Sequence, residues 1–283
     1  MTKKILIPIY NDWHSLLILL DNLDKNLTSD KYEVIIVNDC STEKENILKQ
    51  NYIKIKKIKI LNLSKNVGSQ NCIAIGLRYL SQIKEHYILT VMDGDGEDDP
   101  AHVNRLFKKA EENPNLIITS NRLNRNEGNL FQFFYKIHLM ITFLLTFKWI
   151  NFGNFTCFNS NKFASVQKNN EIGIAVSAAI SKNCKTYKCP SKRLKRYKDI
   201  SKVSYFGLFL HSLRILSVYY KRIIFSSILY TIIIFILSGN SNFFLLFTIT
   251  MFLIFNISLA IINKNYKITD DDFSKIKLSI VQK

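Results

Sequence analysis

The sequence is poor in the residues that staple small secreted folds or build metal scaffolds. Its 283 residues hold five cysteines: Cys40, Cys72, Cys157, Cys184 and Cys189. They form neither a disulfide framework nor a paired C-x-x-C zinc pattern, so ordinary thiols in a reducing compartment are expected. His14, His102 and His211 are scattered and suggest no metal site. No repeat, low-complexity tract or Pro/Gly-rich linker divides the N-terminal part. A secretory signal pattern is also missing, because Met1-Thr2-Lys3-Lys4 leads straight into the strand-like Ile5-Leu6-Ile7.

Acid is scarce. Asp and Glu number 22 against 39 Lys and Arg, a formal net charge of +17. Such a balance implies an anionic partner, whether nucleic acid, anionic lipid or a phosphorylated substrate. Charge of either sign is missing from residues 223–263, a run of mostly Ile, Leu, Phe, Val and Thr broken near its middle by Gly239-Asn240-Ser241-Asn242. This predicts two membrane-spanning helices within 222–262, joined by a tight turn. Tyr219 and Tyr220 can extend the first as interfacial aromatics, with Lys221 and Arg222 snorkelling. Lys and Arg crowd residues 192–222 and recur at Lys264 and Lys267, while the turn has none. The positive-inside rule then predicts a multi-pass protein of the cytoplasmic (inner) membrane, with both termini and the N-terminal part in the cytoplasm. Because the basic residues concentrate beside the spans, nucleic acid is not the expected partner.

The most informative stretch is Val91-Met92-Asp93-Gly94-Asp95-Gly96-Glu97-Asp98-Asp99-Pro100. A buried-strand pattern over 87–92 ends in five acids within seven positions. Carboxylates so close repel one another unless a cation sits among them, and hard oxygen ligands suit Mg²⁺ or Mn²⁺ bridged to substrate phosphates. A solvated turn that caps the next helix through Asp98 or Asp99, with Pro100 at its first position, is the competing reading.

Strand and helix patterns alternate through the N-terminal part. Strands are expected over 4–9, 32–37, 55–63, 87–92 and 116–119. Helices are expected over 13–27, capped by Asn11 or Asp12, and over 69–83 and 101–112. This order predicts an α/β fold, a mainly parallel sheet with helices on both faces. Ligands bind such sheets at the carboxyl ends of strands, so the polar clusters at 8–12, 38–42 and 93–99 should meet in one crevice. Two further apolar helices are expected to lie in the membrane interface, over 131–150 and over 203–220. The first is interrupted by Lys136, His138 and Lys148, and a full crossing there would put residues 153–196 on the wrong side.

Four strings now resemble one family. Ile7-Pro8-Ile9-Tyr10-Asn11-Asp12 resembles the V-P-x-Y-N-E opening of family 2 glycosyltransferases. Val37-Asn38-Asp39-Cys40-Ser41-Thr42 resembles their V-N-D-C-S. Asn66-Val67-Gly68 with Gly76-Leu77 matches N-x-G-x(7)-G-L, and the acidic stretch resembles D-A-D-L-Q-D-x-P. In order and spacing the chain is most similar to the polyprenyl-phosphate branch, that of dolichol-phosphate mannose synthase and the bactoprenol glucosyltransferases. The resemblance implies a GT-A, Rossmann-like catalytic domain over residues 1–200. A juxtamembrane amphipathic helix over 201–221, the two spans over 222–262 and a cytoplasmic tail over 263–283 would follow.

The resemblance also assigns residues. Pro8, Tyr10, Asp12 and Asp39 fall in the nucleotide pocket, where a carboxylate can accept the imide N–H of uracil and an aromatic can cover a base. Asp95 and Glu97 match metal-binding positions, and Asp93 matches the first acid, near the nucleotide sugar or the metal. Glu97 replaces the family's usual Gln. Arg196 and Lys202 align with the basic residues of R-x-x-G-x-S-K-Y, although Asp199 and Val203 depart from it. Arg122 looks like the Arg that meets acceptor phosphate, with Arg125 a second candidate. Asn154 stands in Gly153-Asn154-Phe155 where the family often has Asp, and Asn cannot act as a general base.

The expected activity is transfer of a sugar from a nucleoside-diphosphate donor, a UDP-sugar in first place, to polyprenyl phosphate on the cytoplasmic face. Transfer would be metal-dependent and inverting, and a homo-oligomer is compatible with the sequence. One alternative keeps the fold and makes the acceptor a sugar hydroxyl on a lipid-linked glycan. Another is a non-catalytic membrane-anchored partner, against which the intact acidic cluster argues.

Overall fold

The computed structural model describes residues 1–28, 32–43, 51–122, 129–198, 205–267 and 277–282, side chains excepted at 122, 129–131, 169, 205 and 277–282. The chain divides into two compact units. One comprises residues 1–126, 151–202 and 268–283, the other 127–150 and 203–267.

The first unit is built on strands β1 (Thr2–Ile9), β2 (Tyr32–Asn38), β3 (Ile55–Asn62), β4 (Tyr87–Val91), β5 (Ile117–Arg122), β6 (Phe152–Asn159), β7 (Thr186–Ser191) and β8 (Lys277–Gln282). They form one sheet in the order β7-β5-β6-β4-β1-β2-β3-β8. Pairs β1/β2, β1/β4, β2/β3 and β5/β7 are parallel, and β6 and β8 run antiparallel to their neighbours. Helices α1 (Trp13–Asn26), α2 (Ser69–Ser81), α3 (Val103–Glu112), α5 (Phe163–Val166) and α6 (Val176–Asn183) belong to this unit. The second unit holds α4 (Asn129–Thr146), α7 (Tyr205–Val218), α8 (Tyr220–Leu237) and α9 (Asn242–Asn265).

Side chains alternate across the sheet with period two, and that alternation builds two cores. Ile5 and Ile7 of β1 face Leu16, Leu19, Leu20 and Leu23 of α1 and Leu106 and Phe107 of α3. Leu6, between them, faces the other way with Ile73, Leu77 and Leu80 of α2 and Ala179 and Ile180 of α6. Each fully buried aliphatic contributes roughly 1.5–3 kcal/mol. The central strand β4 is buried at all five positions, as a strand covered on both faces must be.

Strand edges fall where the apolar runs stop. Asp12, rather than Asn11, caps α1, and its carboxylate accepts the Ser15 N–H. The helix expected from Ala101 begins instead as a 3-10 turn, Pro100–His102, with α3 starting at Val103. Asp99 accepts the Ala101 N–H at 2.9 Å and Pro100 occupies the first position, which is the capping arrangement. Strands β6, β7 and β8 have no counterpart in the sequence reading. In β7 only Cys189 and Ser191 are buried, and it carries Pro190, which a strand tolerates at a sheet edge.

The second unit is apolar outside as well as inside. Helices α8 and α9 are long and apolar enough to cross a membrane, and only 17% and 11% of their most apolar stretches are buried. Leu237, Phe243 and Leu246 are among the exposed side chains. The turn between them falls at Gly239 and Asn240, as expected. Several polar side chains inside this unit bridge its helices, while the buried Thr142 Oγ1 and Asn256 Oδ1 accept no hydrogen bond from the described residues. Tyr230, Ser226 and Arg222 of α8 donate to the carbonyls of Leu144, Leu145 and Thr146, the last of α4, at 2.7, 2.6 and 3.0 Å. Those carbonyls end their helix, where no amide of the same helix reaches them. Asn256 of α9 donates to Ser227 of α8 at 3.0 Å.

Candidate active site

The loops after β1, β2 and β4 meet at the carboxyl end of the parallel sheet. Strand pairing sets Ile9 beside Asn38 and Leu6 beside Val91. Gly94 then lies against Pro8, where an added Cβ would sit 3.2 Å from the Pro8 carbonyl. Asn11, with φ of 49°, turns its amide oxygen onto the Thr42 and Glu43 N–H groups at 2.8 and 3.2 Å, which stitches the first two loops together. Tyr10 is half exposed at the rim. Asp39 is buried at 3% exposure, and its two oxygens accept the N–H groups of Val67 and Gly68 at 2.6 and 2.9 Å. The structure thus commits this carboxylate to holding the 66–68 loop, and a uracil imide would have to share it.

The acidic loop is paired with a basic one. Residues 193–197 run antiparallel to 95–98, with a bridge between Asp98 and Arg193. Leu194 N–H donates to the Glu97 carbonyl at 2.9 Å and Tyr197 N–H to the Asp95 carbonyl at 3.1 Å. Side chains follow the backbone. Arg193 donates to Glu97, Arg196 Nε donates to Glu97 Oε1 at 3.1 Å, and Arg196 Nη2 lies 2.9 Å from Asp95 Oδ2. Gly96 makes the close approach feasible. Its φ is +86°, and a Cβ there would fall 2.3 Å from the Tyr197 ring. That ring is anchored by the Asn22 amide, which donates to the tyrosine hydroxyl at 2.9 Å. Gly96→Ala should therefore cost about 2 kcal/mol and lower the melting temperature by roughly 5 °C. An unchanged melting curve would show that loop and ring can move apart freely.

The electrostatics are uneven. Burial, and then the neighbouring Asp93 charge, push the Asp95 carboxyl up to about 6, although Arg196 pulls the other way. Burial also pushes Glu97 up, but Arg193 and Arg196 outweigh it and leave its carboxyl below the usual range. A raised Asp95 lends stability at pH below its ordinary value near 4, and that stability is lost as pH rises through about 6. Asp95→Asn, facing Asp93, Glu97 and Arg196, should accordingly melt higher than wild type at pH 7.5 in EDTA, by about 2 kcal/mol. The gap should close at pH 4, and an equal gap at both pH values would rule titration out as its cause.

Asp93 is held at both ends. Its N–H donates to Asp98 Oδ2 at 3.0 Å, and its side-chain Oδ1 accepts from Asn154 Nδ2 at 3.0 Å. Asn154 in turn accepts from Gln70 Nε2 at 3.1 Å. Of the residues singled out in the sequence, Asp93, Asp95, Glu97 and Arg196 come together here, with Pro8 at the adjoining strand end and Asp12 capping α1 beyond it. Arg122 ends β5, and its side chain lies outside the described residues, as do Arg125 and Lys202. The sequence reading gave no role to Arg193 or Gln70. Arg193 had a signal, since it stands three residues before Arg196 and opposite the additional acid Glu97.

The family 2 profile of the glycosyl transferases matches residues 4–173. The chain belongs to glycosyl transferase family 2. A relative it resembles in sequence is the uncharacterized glycosyltransferase sll0501 of Synechocystis sp., 33% identical over 143 residues, which are 47% of this chain and 43% of that protein. This family 2 chain thus spans less than half the length of that relative. Among solved structures, glucosyl-3-phosphoglycerate synthase of Mycobacterium tuberculosis, in complex with Mn²⁺, UDP-glucose and phosphoglyceric acid, superposes with a TM-score of 0.54. The two share 12% identity over 78% of this chain and 79% of that one. The mannosyltransferase PcManGT of Pyrobaculum calidifontis, in complex with GDP-mannose and Mn²⁺, gives a TM-score of 0.51 at 12% identity over 78% of this chain and 64% of that one. At such identities the likeness is one of fold.

Proposed function

We infer that this family 2 chain moves a sugar from a nucleoside-diphosphate donor, a UDP-sugar, to polyprenyl phosphate at the cytoplasmic face of a membrane, with inversion at the anomeric carbon. One observation carries the reading. The crevice sets guanidinium groups, Arg193 and Arg196, against the carboxylates, and presents an amide, Asn154, where a general base is often found in this family. A sugar hydroxyl must lose a proton to attack, whereas a phosphate is already anionic at neutral pH and needs cations to position it. The exposed apolar surfaces of α8 and α9 support a membrane setting.

A divalent ion fits the donor set. Among the described residues no three acidic or His/Cys side chains form a closed metal cage. Asp93 and Asp95 nevertheless bring two hard oxygen ligands near each other, and burial together with the Asp93 charge makes the ionised Asp95 costly even with Arg196 beside it. One or two carboxylates completed by substrate phosphates is the usual way Mg²⁺ is held. Asp93 and Asp95 would hold Mg²⁺ or Mn²⁺, and Glu97 would join them by exchanging its arginines. Once bound, the ion would neutralise the diphosphate leaving group. The nucleotide sugars and Mn²⁺ in the two structural neighbours support this reading.

The test is a screen in detergent with Mn²⁺ or Mg²⁺. UDP-glucose, UDP-galactose, UDP-N-acetylglucosamine and GDP-mannose are each offered with undecaprenyl phosphate or with a lipid-linked disaccharide. Radiolabel appearing in the lipid phosphate is the expected result. Label only on the disaccharide would give the reaction to a hydroxyl acceptor, and no turnover of any donor would remove the enzymatic reading.

A further inference from the structure

Gln70 lies on α2, outside the acidic loop in sequence, and is 7% exposed. Its partners nevertheless link it to that loop, and they fix which way round it stands. Val176 begins α6, whose N-cap residue Ala175 offers no side-chain hydrogen bond. The Val176 N–H is therefore one of the unpaired amides of a helix start. It donates to Gln70 Oε1 at 2.7 Å. Gln70 Nε2 must then face away and donates to Asn154 Oδ1 at 3.1 Å. This leaves Asn154 Nδ2 for Asp93 Oδ1, at 3.0 Å. A backbone N–H at one end can only donate and a carboxylate at the other can only accept, so neither amide can reverse without opposing like groups.

We propose that Gln70 is a positioning residue: it sets the polarity of the Asn154 side chain so that Asn154 donates to Asp93 and orients that carboxylate for the donor site. The role of Asp93 rests on the function inferred above. With the opposite polarity, Asn154 would turn its oxygen onto the carboxylate, two acceptors at contact distance. An Asp at position 154 would do the same, which gives the amide at this position a purpose of its own.

A double-mutant cycle tests the relay. Gln70→Glu is nearly isosteric and still accepts the Val176 N–H. Its second oxygen also accepts, which draws the Asn154 NH₂ group away from Asp93. We expect kcat for release of UDP from the active donor to fall about 30-fold with the donor KM within about threefold, and Mn²⁺ affinity by calorimetry to fall about tenfold. Asn154→Ala removes one donor to a charged group and should cost about tenfold in kcat. The double variant should be no worse than Asn154→Ala, hence more active than Gln70→Glu alone, because a residue that acts through Asn154 has nothing left to act on. Multiplying losses, about 300-fold in the double variant, would overturn the proposal, as would wild-type kcat and Mn²⁺ affinity in Gln70→Glu.

If Gln70→Glu melts far below wild type, Gln70→Met replaces it. It imposes no polarity on Asn154 and should lose only about fivefold in kcat despite the orphaned Val176 N–H. A folded Gln70→Met protein that loses 30-fold or more would overturn the relay. Should wild type turn over no donor, the function inferred above fails, and the Mn²⁺ cycle alone decides the relay: non-additive losses uphold it and additive losses overturn it.

Discussion

Asp95→Ala should lower sugar transfer by at least 10³-fold, about 4 kcal/mol of transition-state stabilisation, while the protein melts no lower than wild type in EDTA. The two halves of this expectation share one cause. Asp95 is a buried carboxylate beside the Asp93 charge, and burial first and that charge second make its ionised form costly to the fold. Removing it relieves the cost and removes the cation's seat together. Chelation of the wild-type protein should match the substitution, and added Mn²⁺ or Mg²⁺ should restore the wild type alone. Initial rates with and without EDTA, beside melting curves, decide it, and full turnover in excess chelator would refute the metal-dependent reaction.

Arg196→Ala should follow, with a loss of about 100-fold at low polyprenyl phosphate concentration. Arg196 lies between Asp95 and Glu97, and an ion drawn to Asp95 competes for the same oxygens. A guanidinium so displaced is a strong, geometrically directed donor for phosphate. The loss should therefore appear mostly in the acceptor KM, and Arg196→Lys should recover only part of it. Asn154→Ala, at about tenfold, should be the milder change. If instead Asn154→Ala is as inactive as Asp95→Ala while Arg196→Ala stays near wild type, attack by a sugar hydroxyl takes precedence over attack by phosphate.

Much of this arrangement was legible in the chain. Strands β1, β2 and β4 are apolar runs that end in polar clusters, and a parallel sheet brings such ends together whatever the details of packing. Asp93, Asp95 and Arg196 could be named because each sits in a local string with a recognisable spacing. Strands β6, β7 and β8 could not be read, because their pairing is decided by neighbours far along the chain. In β7 the exposed Thr186, Tyr187 and Lys188 carry no alternation for the eye to find. Gln70 was invisible for a similar reason. Its partners Val176 and Asn154 lie 106 and 84 residues away, and no local pattern announces a hydrogen bond of that range. For Glu97 the sequence shows an extra acid but not that Arg193 and Arg196, some hundred residues on, pair with it.

The last strand has a consequence for the helical hairpin. The chain leaves the first unit before α7 and rejoins it at β8, which pairs along β3 from Asn62 to Ile58. A chain that starts and finishes in one sheet can traverse a bilayer only an even number of times. Of the three helices in that stretch α7 is too short to cross, so α8 and α9 act as a couple, both threading the lipid or neither. A protease-protection assay with a cleavage site placed in the turn at residues 239–241 and a reporter after residue 283 reads this parity. With both helices threaded, the turn and the reporter lie on opposite sides of the membrane.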